Sequence, residues 1–193
     1  MDDVSDTIDR DIGARLKALR AAGGLTLEDL ADRSGVSRAM LSRIERGESS
    51  PTAQLLNRVC AGLGVTLSSL FAAAEASVPP LSRRADQPVW RDPASGYQRR
   101  VVSPPGTGSP AEIIEVEFPV GAAVAFDSQR LASANQHVFV LDGTMQIAIG
   151  GDTYRLDQGD CLHMRLDQPI GFRNPGERPA RYLVIIAHAG AGR

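Results

Sequence analysis

The sequence predicts a two-domain protein, in which a bundle of five α-helices is followed by an antiparallel β sandwich or barrel. Three observations support this fold class. Apolar residues recur at helical spacing up to about residue 71, an Ala-rich stretch ending in Pro-Pro follows, and alternating apolar runs then continue at intervals of roughly 8–12 residues. We therefore expect a first domain over residues 1–71, a linker over 72–82 and a second domain over 83–193.

Each helix of the first domain is indicated by an apolar stripe and a start or stop signal. Ile12, Leu16 and Leu19 share one face of the first helix, which the Gly-Gly pair at 23–24 ends. The next four helices are expected to begin at capping residues, namely Thr26, Ser37, Thr52 and Thr66. Cys60 falls on the inner face of the fourth helix, so we expect it in the core.

The second domain is predicted from short runs of alternating apolar residues. Turns rich in Gly, Asp, Asn and Pro separate these runs, which is typical of antiparallel sheets. The expected strands are residues 101–103, 112–119, 123–126, 136–143, 144–151, 152–160, 161–166 and 180–188.

Composition limits the cellular setting. The chain has 42% hydrophobic and 23% charged residues, as expected for a globular protein, and it has no apolar run of about 18 residues, so we expect no membrane partner. The acidic N-terminus has no signal-peptide core. Cys60 and Cys161 lie far apart in unlike contexts, which fits a reducing cytoplasm better than a disulfide framework.

The third predicted helix carries an unusual positive face. Residues 10–71 hold nine basic and six acidic residues, a net +3 in a chain of net charge −2. On a helical wheel Met40, Leu41 and Ile44 share one face. The opposite face consists of Arg38, Ala39, Ser42, Arg43 and Arg46. Such a face suits the major groove of DNA, although a solvated charged face is the ordinary alternative.

The order of short motifs in this region favours the DNA-binding interpretation. LxxLA at 27–31, SGVS at 34–37, LSRIERG at 41–47 and a proline at 51 resemble the Xre/Cro-type helix-turn-helix domain, the class of the lambda and 434 repressors. The resemblance covers about 60 residues and implies a five-helix Cro/lambda-repressor-like domain that binds double-stranded DNA.

The same resemblance assigns roles to individual residues. Base reading is implied for Arg38, Ala39, Ser42 and Arg43. Phosphate contacts are implied for Ser37, Arg46, Ser49 and Ser50, and for the amide groups at the starts of the second and fourth helices. A pair between Arg20 and Glu45 is implied as a structural tie between the first and third helices.

The second domain resembles the cupin family through VLDG at 140–143, YRLDQGD at 154–160 and FRNPGE at 172–177. The resemblance implies a double-stranded β-helix barrel, which in many members holds a metal with three histidines and one glutamate. Here the four corresponding positions are Asp127, Gln129, Gln136 and Ile170. These are poor ligands for a transition metal, so we expect no metal, no cofactor and no metal-dependent catalysis.

The interior of the barrel is then expected to bind a small organic effector. The candidate residues at its mouth are Gln129, Arg130, Gln136, His137 and His163. Arg130 is compatible with an anionic ligand, but an exposed loop arginine is the preferred interpretation. A site for a soft metal, formed by His137, Cys161 and His163, stays open as an alternative. No catalytic residues are predicted, because no nucleophile motif is present.

Together the two halves predict a bacterial transcription regulator, more often a repressor than an activator. It would act as a homodimer on a palindromic operator and respond to an effector of unknown identity. Two alternatives remain: a cupin enzyme with unusual chemistry fused to a DNA-binding domain, and a nucleoid or antitoxin-like protein whose barrel only dimerises.

Overall fold

The helical half contains four α-helices. The structure, a computed structural model, describes residues 3–70, 79–107, 109–127 and 134–188. The helices are α1 (Asp3–Ala22), α2 (Leu27–Ser34), α3 (Arg38–Glu45) and α4 (Ala53–Leu63). The expected fifth α-helix is wrong: Leu67–Leu70 forms a short 3₁₀ helix. This turn places Leu67 and Leu70 in the core, and Phe71, which the expected helix included, lies outside the described residues.

The predicted caps fix the helix boundaries. At the start of α2, the Thr26 hydroxyl accepts from the Asp29 amide, and the Asp29 carboxylate accepts from the Thr26 amide at 2.8 Å. This reciprocal pair satisfies two donors that the helix leaves open. Gly35 ends α2 in the left-handed region with φ of 64°, which glycine adopts without strain, and the chain turns directly into α3.

Helices α1 and α3 are held together by close packing and an ion pair. A Cβ at Gly13 would lie 2.3 Å from the Ile44 carbonyl oxygen, so the helix backbones meet where a side chain is missing. The predicted pair of Arg20 and Glu45 is confirmed: the guanidinium donates to both carboxylate oxygens, at 2.6 and 2.9 Å. These contacts fix α3 from behind and leave its other face outside.

The described residues of the second half form ten β-strands. They are β1 (Val89–Arg91), β2 (Gln98–Val101), β3 (Ala111–Phe118), β4 (Ala123–Phe126), β5 (Ala134–Asp142), β6 (Met145–Ile149), β7 (Asp152–Leu156), β8 (Cys161–Arg165), β9 (Ile170–Arg173) and β10 (Ala180–His188). The sequence pattern missed β1 and β9, which are three and four residues long. It also placed the second strand too late, at 101–103.

The strands build two antiparallel sheets. The larger has the order β1-β2-β3-β10-β5-β8 and the smaller β4-β9-β6-β7. Their inner faces share one core, in which the rings of Phe172 and Tyr182 stack at 6.2 Å between centroids. No strand pair of the described residues joins the two sheets, so the expected closed barrel is corrected to two packed sheets.

The helical half contacts the β half through α4. The Ala53 amide donates to the Asp92 carboxylate at 2.9 Å, and the Asn57 side chain donates to the Asp127 carbonyl oxygen at 3.5 Å. Most of the predicted linker at 72–82 lies outside the described residues, so the domain boundaries stay a prediction. Within the described part of the chain, no helix combines the length and apolar character needed to cross a bilayer.

Candidate DNA-binding surface and interior cavity

Helix α3 presents the predicted face to solvent. Leu41 and Ile44 are fully buried, whereas Arg38, Ala39 and Arg43 on the opposite side are exposed. The helix begins at Ser37, whose hydroxyl accepts from the Met40 amide at 3.3 Å. The arginine side chains therefore project from a helix whose position the core fixes.

Arg46 and Ser42 are joined to each other and to a carboxylate. The Arg46 guanidinium donates to both oxygens of Glu48 at 2.7 Å and to the Ser42 hydroxyl. Its hydrogen bond to Glu48 raises the pKa of Arg46, and the same bond lowers the pKa of Glu48. A phosphate would have to replace Glu48 before Arg46 could bind it.

The remaining predicted phosphate ligands are engaged within the protein. The Ser49 hydroxyl lies 3.8 Å from the Met40 sulfur, and the Ser50 hydroxyl donates to the Asp9 carboxylate. The amide of Ala53, at the start of α4, is occupied by the Asp92 carboxylate, and Ala53 is fully buried. The expectation that this amide binds phosphate is therefore corrected, because the β half covers the start of α4.

A second candidate site is a cavity between the two sheets, closed on one side by the helical half. Its volume is about 70 Å³, measured as the space open to the centres of water molecules. Polar lining residues are Asn57, Thr66, Tyr97, Arg99, Asp127, Gln136, Gln168 and Tyr182. Apolar lining residues are Leu67, Val116, Phe118, Phe126, Leu166, Ile170, Phe172, Val184 and Ile186.

Of the predicted ligand residues, the structure places one in this cavity. Gln136 is buried and lines it, whereas Gln129 and Arg130 lie outside the described residues. His137 and His163 are corrected: they lie on the outer face of the six-stranded sheet. The reason is strand alternation, since His137 follows the inward-facing Gln136 and pairs in register with His163.

The alternative soft-metal site is not assembled on that outer face. The rings of His137 and His163 are 4.9 Å apart between centroids, and His163 Nε2 lies 3.3 Å from the Asn135 side-chain oxygen. Cys161 is in register with Phe139. Over the described ranges, no three His, Cys, Asp or Glu side chains are grouped in a way that could hold a metal ion.

Three of the four positions at which cupins hold a metal lie within the described residues, and these three do not fit a metal. Ile170 is buried and cannot ligate, and the Gln136 amide nitrogen contacts the Met164 sulfur at 3.6 Å. Asp127 is exposed. An alkyl group and an amide against a thioether offer no set of donors for a transition metal.

Arg99 is the most unusual residue of the cavity, and the sequence pattern did not indicate it. Arg99 is on β2, in register with the buried Val116, and is only 7% exposed. Burial lowers its pKa, while Tyr97 and Glu112 act in the opposite direction. No local pattern identifies it: its place follows from the register of β2, in which Val101, two residues later, pairs with the buried Ile114.

The turn at Gly35 between α2 and α3, with the arginines of α3 outside, defines a helix-turn-helix protein. Family comparison agrees: residues 16–70 match the helix-turn-helix family model and residues 114–186 match the cupin domain model. The chain therefore contains an Xre-type helix-turn-helix domain followed by a cupin domain.

Individual relatives extend over nearly the whole chain. It is similar to the HTH-type transcriptional regulator SutR of Escherichia coli K12, with 26% identity over 94% of this chain and 97% of that protein. The regulator SinR of Bacillus subtilis is 40% identical over 61 residues, covering 31% of this chain and 55% of SinR. The crystal structure of a regulator of the same helix-turn-helix family from Vibrio cholerae has 27% identity and a TM-score of 0.76, covering 95% of this chain and 98% of that one.

Proposed function

We propose that this protein binds double-stranded DNA sequence-specifically and represses transcription from a palindromic operator. One observation carries the proposal: the exposed face of α3 holds Arg38 and Arg43 opposite the fully buried Leu41 and Ile44. Arginine donates two hydrogen bonds to guanine in the major groove, and the Ala39 methyl suits thymine. The bacterial regulators to which the chain is similar support this function.

The proposal includes a homodimer, because one helix-turn-helix unit reads few base pairs. Two copies of α3 about 34 Å apart would read a two-fold symmetric site. We propose that the partner surface is the outer face of the six-stranded sheet. There Ile113, Ile185 and His137 form one row in register, and Leu183 and Phe139 form the next, all half-buried or exposed in the single chain.

The proposal also includes a small effector in the cavity. An interior that is mainly apolar, with a few polar groups, is typical of a site for a small molecule. A ligand there changes DNA affinity only if it favours one arrangement of the two halves over another. We propose that the protein is a regulator without enzymatic activity that works in the cytoplasm, and its similarity to transcriptional regulators supports this proposal.

Selection of duplexes from a random pool by the full-length protein tests the DNA-binding function. We expect the selection to enrich a palindrome. Arg43→Ala should weaken binding to this palindrome by about 1–3 kcal/mol and have little effect on binding to random DNA. Arg46→Ala should lower the affinity for the palindrome and for random DNA equally. The dependence of this affinity on salt concentration should fall by about one phosphate contact. Arg173→Ala, an exposed arginine on β9, is the control. An unenriched pool would exclude sequence-specific binding.

A further inference from the structure

The cavity belongs to both halves of the protein. Asn57 of α4, Thr66 and Leu67 form one wall, and the inner faces of the two sheets form the rest. Thr66 and Leu67 are buried, so this wall is part of the packed interior and not a loose flap. A molecule that fills the cavity therefore contacts the DNA-binding half directly.

The charge within the cavity is uneven. Of the described residues that line it, two carry charge: Arg99, which is 7% exposed, and Asp127, which is exposed at the surface. Glu112 acts electrostatically on Arg99 but does not line the cavity. The deep part of the site thus presents a guanidinium, which stays protonated at any physiological pH.

Two tyrosines and an amide of the cavity lining are neutral. Burial raises the pKa of both Tyr97 and Tyr182, so their hydroxyls stay protonated and do not repel an anion. Gln136 adds an amide, whose nitrogen contacts the Met164 sulfur. A guanidinium among neutral polar groups and aromatic rings matches a ligand with one charged end and an apolar remainder.

Size narrows the ligand further. The space open to the centres of water molecules is about 70 Å³, well below the roughly 300–1,000 Å³ of sites for drug-sized ligands. This favours a small ligand over nucleotides, sugars and long-chain fatty acids. It matches a short carboxylate.

We propose that the cavity binds a short-chain carboxylate, with the carboxylate against Arg99 and the alkyl part between the two sheets, and that the ligand links the cupin half to α4. This proposal rests on the proposed effector function and names the class of effector.

Calorimetric titration of the full-length protein with butyrate tests the class of ligand. Butyramide, equal in size but neutral, is the first control, and octanoate, which is too long, is the second. Expected is one butyrate per chain, with both controls weaker by about tenfold or more. Equal binding of butyramide would overturn the role of charge, and equal binding of octanoate would exclude this cavity.

The role of Arg99 and the link to α4 need two further measurements. Arg99→Gln should abolish the preference for butyrate over butyramide; if this variant does not fold, the wild-type comparison of ligands still decides. In Cys161→Ser protein, where Cys60 is the remaining cysteine, butyrate should slow alkylation of Cys60 on α4. An unchanged alkylation rate under saturating butyrate would refute the link.

A separate measurement distinguishes failure of the carboxylate proposal from failure of the DNA-binding function. Duplex selection is run on the same protein both without butyrate and with saturating butyrate. A protein that enriches a palindrome but does not bind butyrate refutes the carboxylate proposal and leaves the DNA-binding function standing. A protein that binds butyrate and enriches no duplex refutes the DNA-binding function alone.

Discussion

The carboxylate of Asp92, in the turn after β1, accepts a hydrogen bond of 2.9 Å from the backbone amide of Ala53, the first residue of α4. The other oxygen of Asp92 accepts from the amide and the hydroxyl of Ser95 in the same turn. Asp92 is 2% exposed and Ala53 is fully buried. A residue of the cupin half thus satisfies a helix donor of the DNA-binding half, which ties the two halves at the helix that also lines the cavity.

The first prediction concerns this contact. Asp92→Ala leaves the Ala53 amide without its acceptor, and loss of a charged hydrogen bond costs about 1.5–3 kcal/mol. The population in which α4 separates from the cupin half should therefore rise about ten- to hundredfold. The rate of alkylation of Cys60 in Cys161→Ser protein measures this population. Burial raises the pKa of Cys60 to about 12, so the thiol stays unreactive while the protein covers it.

Ser95→Ala is the matched control for this prediction. It removes a hydroxyl that donates to Asp92 but leaves the bond between Asp92 and Ala53 in place. We expect a smaller rise in the alkylation rate. Equal rates in Asp92→Ala and the parent protein would show that Asp92 does not hold α4.

The second prediction concerns the carboxylate that occupies Arg46. Glu48→Gln removes the charged partner at 2.7 Å and one negative charge beside the proposed DNA surface. We expect affinity to rise for the selected palindrome and for random DNA alike, because phosphate contacts carry no sequence information. Fluorescence anisotropy with labelled duplexes measures this. Glu117→Gln, an exposed carboxylate on β3, should change neither affinity, and weaker binding by Glu48→Gln would contradict the interpretation.

The helical half could be predicted almost completely, because capping and turn residues next to each helix determine where it begins and ends. Thr26 and Ser37 cap their helices, and Gly35 takes the left-handed conformation that the turn requires. Such signals act over three or four residues and do not depend on the remainder of the fold. The face of α3 followed directly, since burial of Leu41 and Ile44 fixes which side stays outside.

The cavity could not be predicted in the same way. In β5, the inward set with Val138 and Val140 and the outward set with Phe139 and Leu141 are both apolar. The sequence therefore does not show which set faces the core, and a choice of the wrong set transfers His137 from one face to the other.

Arg99 was missed for a different physical reason. It sits in a run of two arginines, which ordinarily lie outside, and only its pairing with the buried Val116 places it within. Likewise, the contribution of α4 to the cavity wall depends on how the two halves pack, which no local pattern encodes.

The third prediction concerns the closest approach of α1 and α3. Gly13→Ala gains about 1 kcal/mol of helix propensity, but its Cβ would lie 2.3 Å from the Ile44 carbonyl oxygen. Backbone must move to relieve this contact, so we expect a net loss of about 1–3 kcal/mol in the free energy of unfolding. Urea denaturation measures it. Gly151→Ala, where no atom lies within 4 Å, should cost little, and a stabilised Gly13→Ala protein would refute the close packing.

The fourth prediction concerns the pair that anchors α3. The side chains of Arg20 and Glu45 are only 15% and 7% exposed, so Glu45→Ala leaves a largely desolvated guanidinium without its carboxylate. We expect Glu45→Ala to lower the free energy of unfolding by about 2–4 kcal/mol. Arg178→Ala, which breaks an exposed pair with Asp142, should lower it by less than about 1 kcal/mol. Denaturation at two salt concentrations measures both. Equal losses would mean that the Arg20 pair does not anchor the helix.

The fifth prediction tests the proposed dimer surface. Val184 of β10 faces the core, so its neighbour Ile185 lies on the outer face, in register with Ile113 on one side and His137 on the other. Ile185→Asp places a charge in the middle of that row without entering the core. If two copies meet there, light scattering should show a dimer for the parent protein and a monomer for the variant.

DNA binding provides the second measurement for this surface. Ile185→Asp should lose affinity for the selected palindrome and keep the affinity of the parent protein for a single half-site, because α3 is unchanged and only the pairing of two copies is lost. Gln98→Asp, on β2 of the same sheet and in register with the exposed Glu117, adds an equal charge away from the row and should leave the dimer intact. A dimeric Ile185→Asp protein with unchanged affinity would place the contact between copies elsewhere on the molecule.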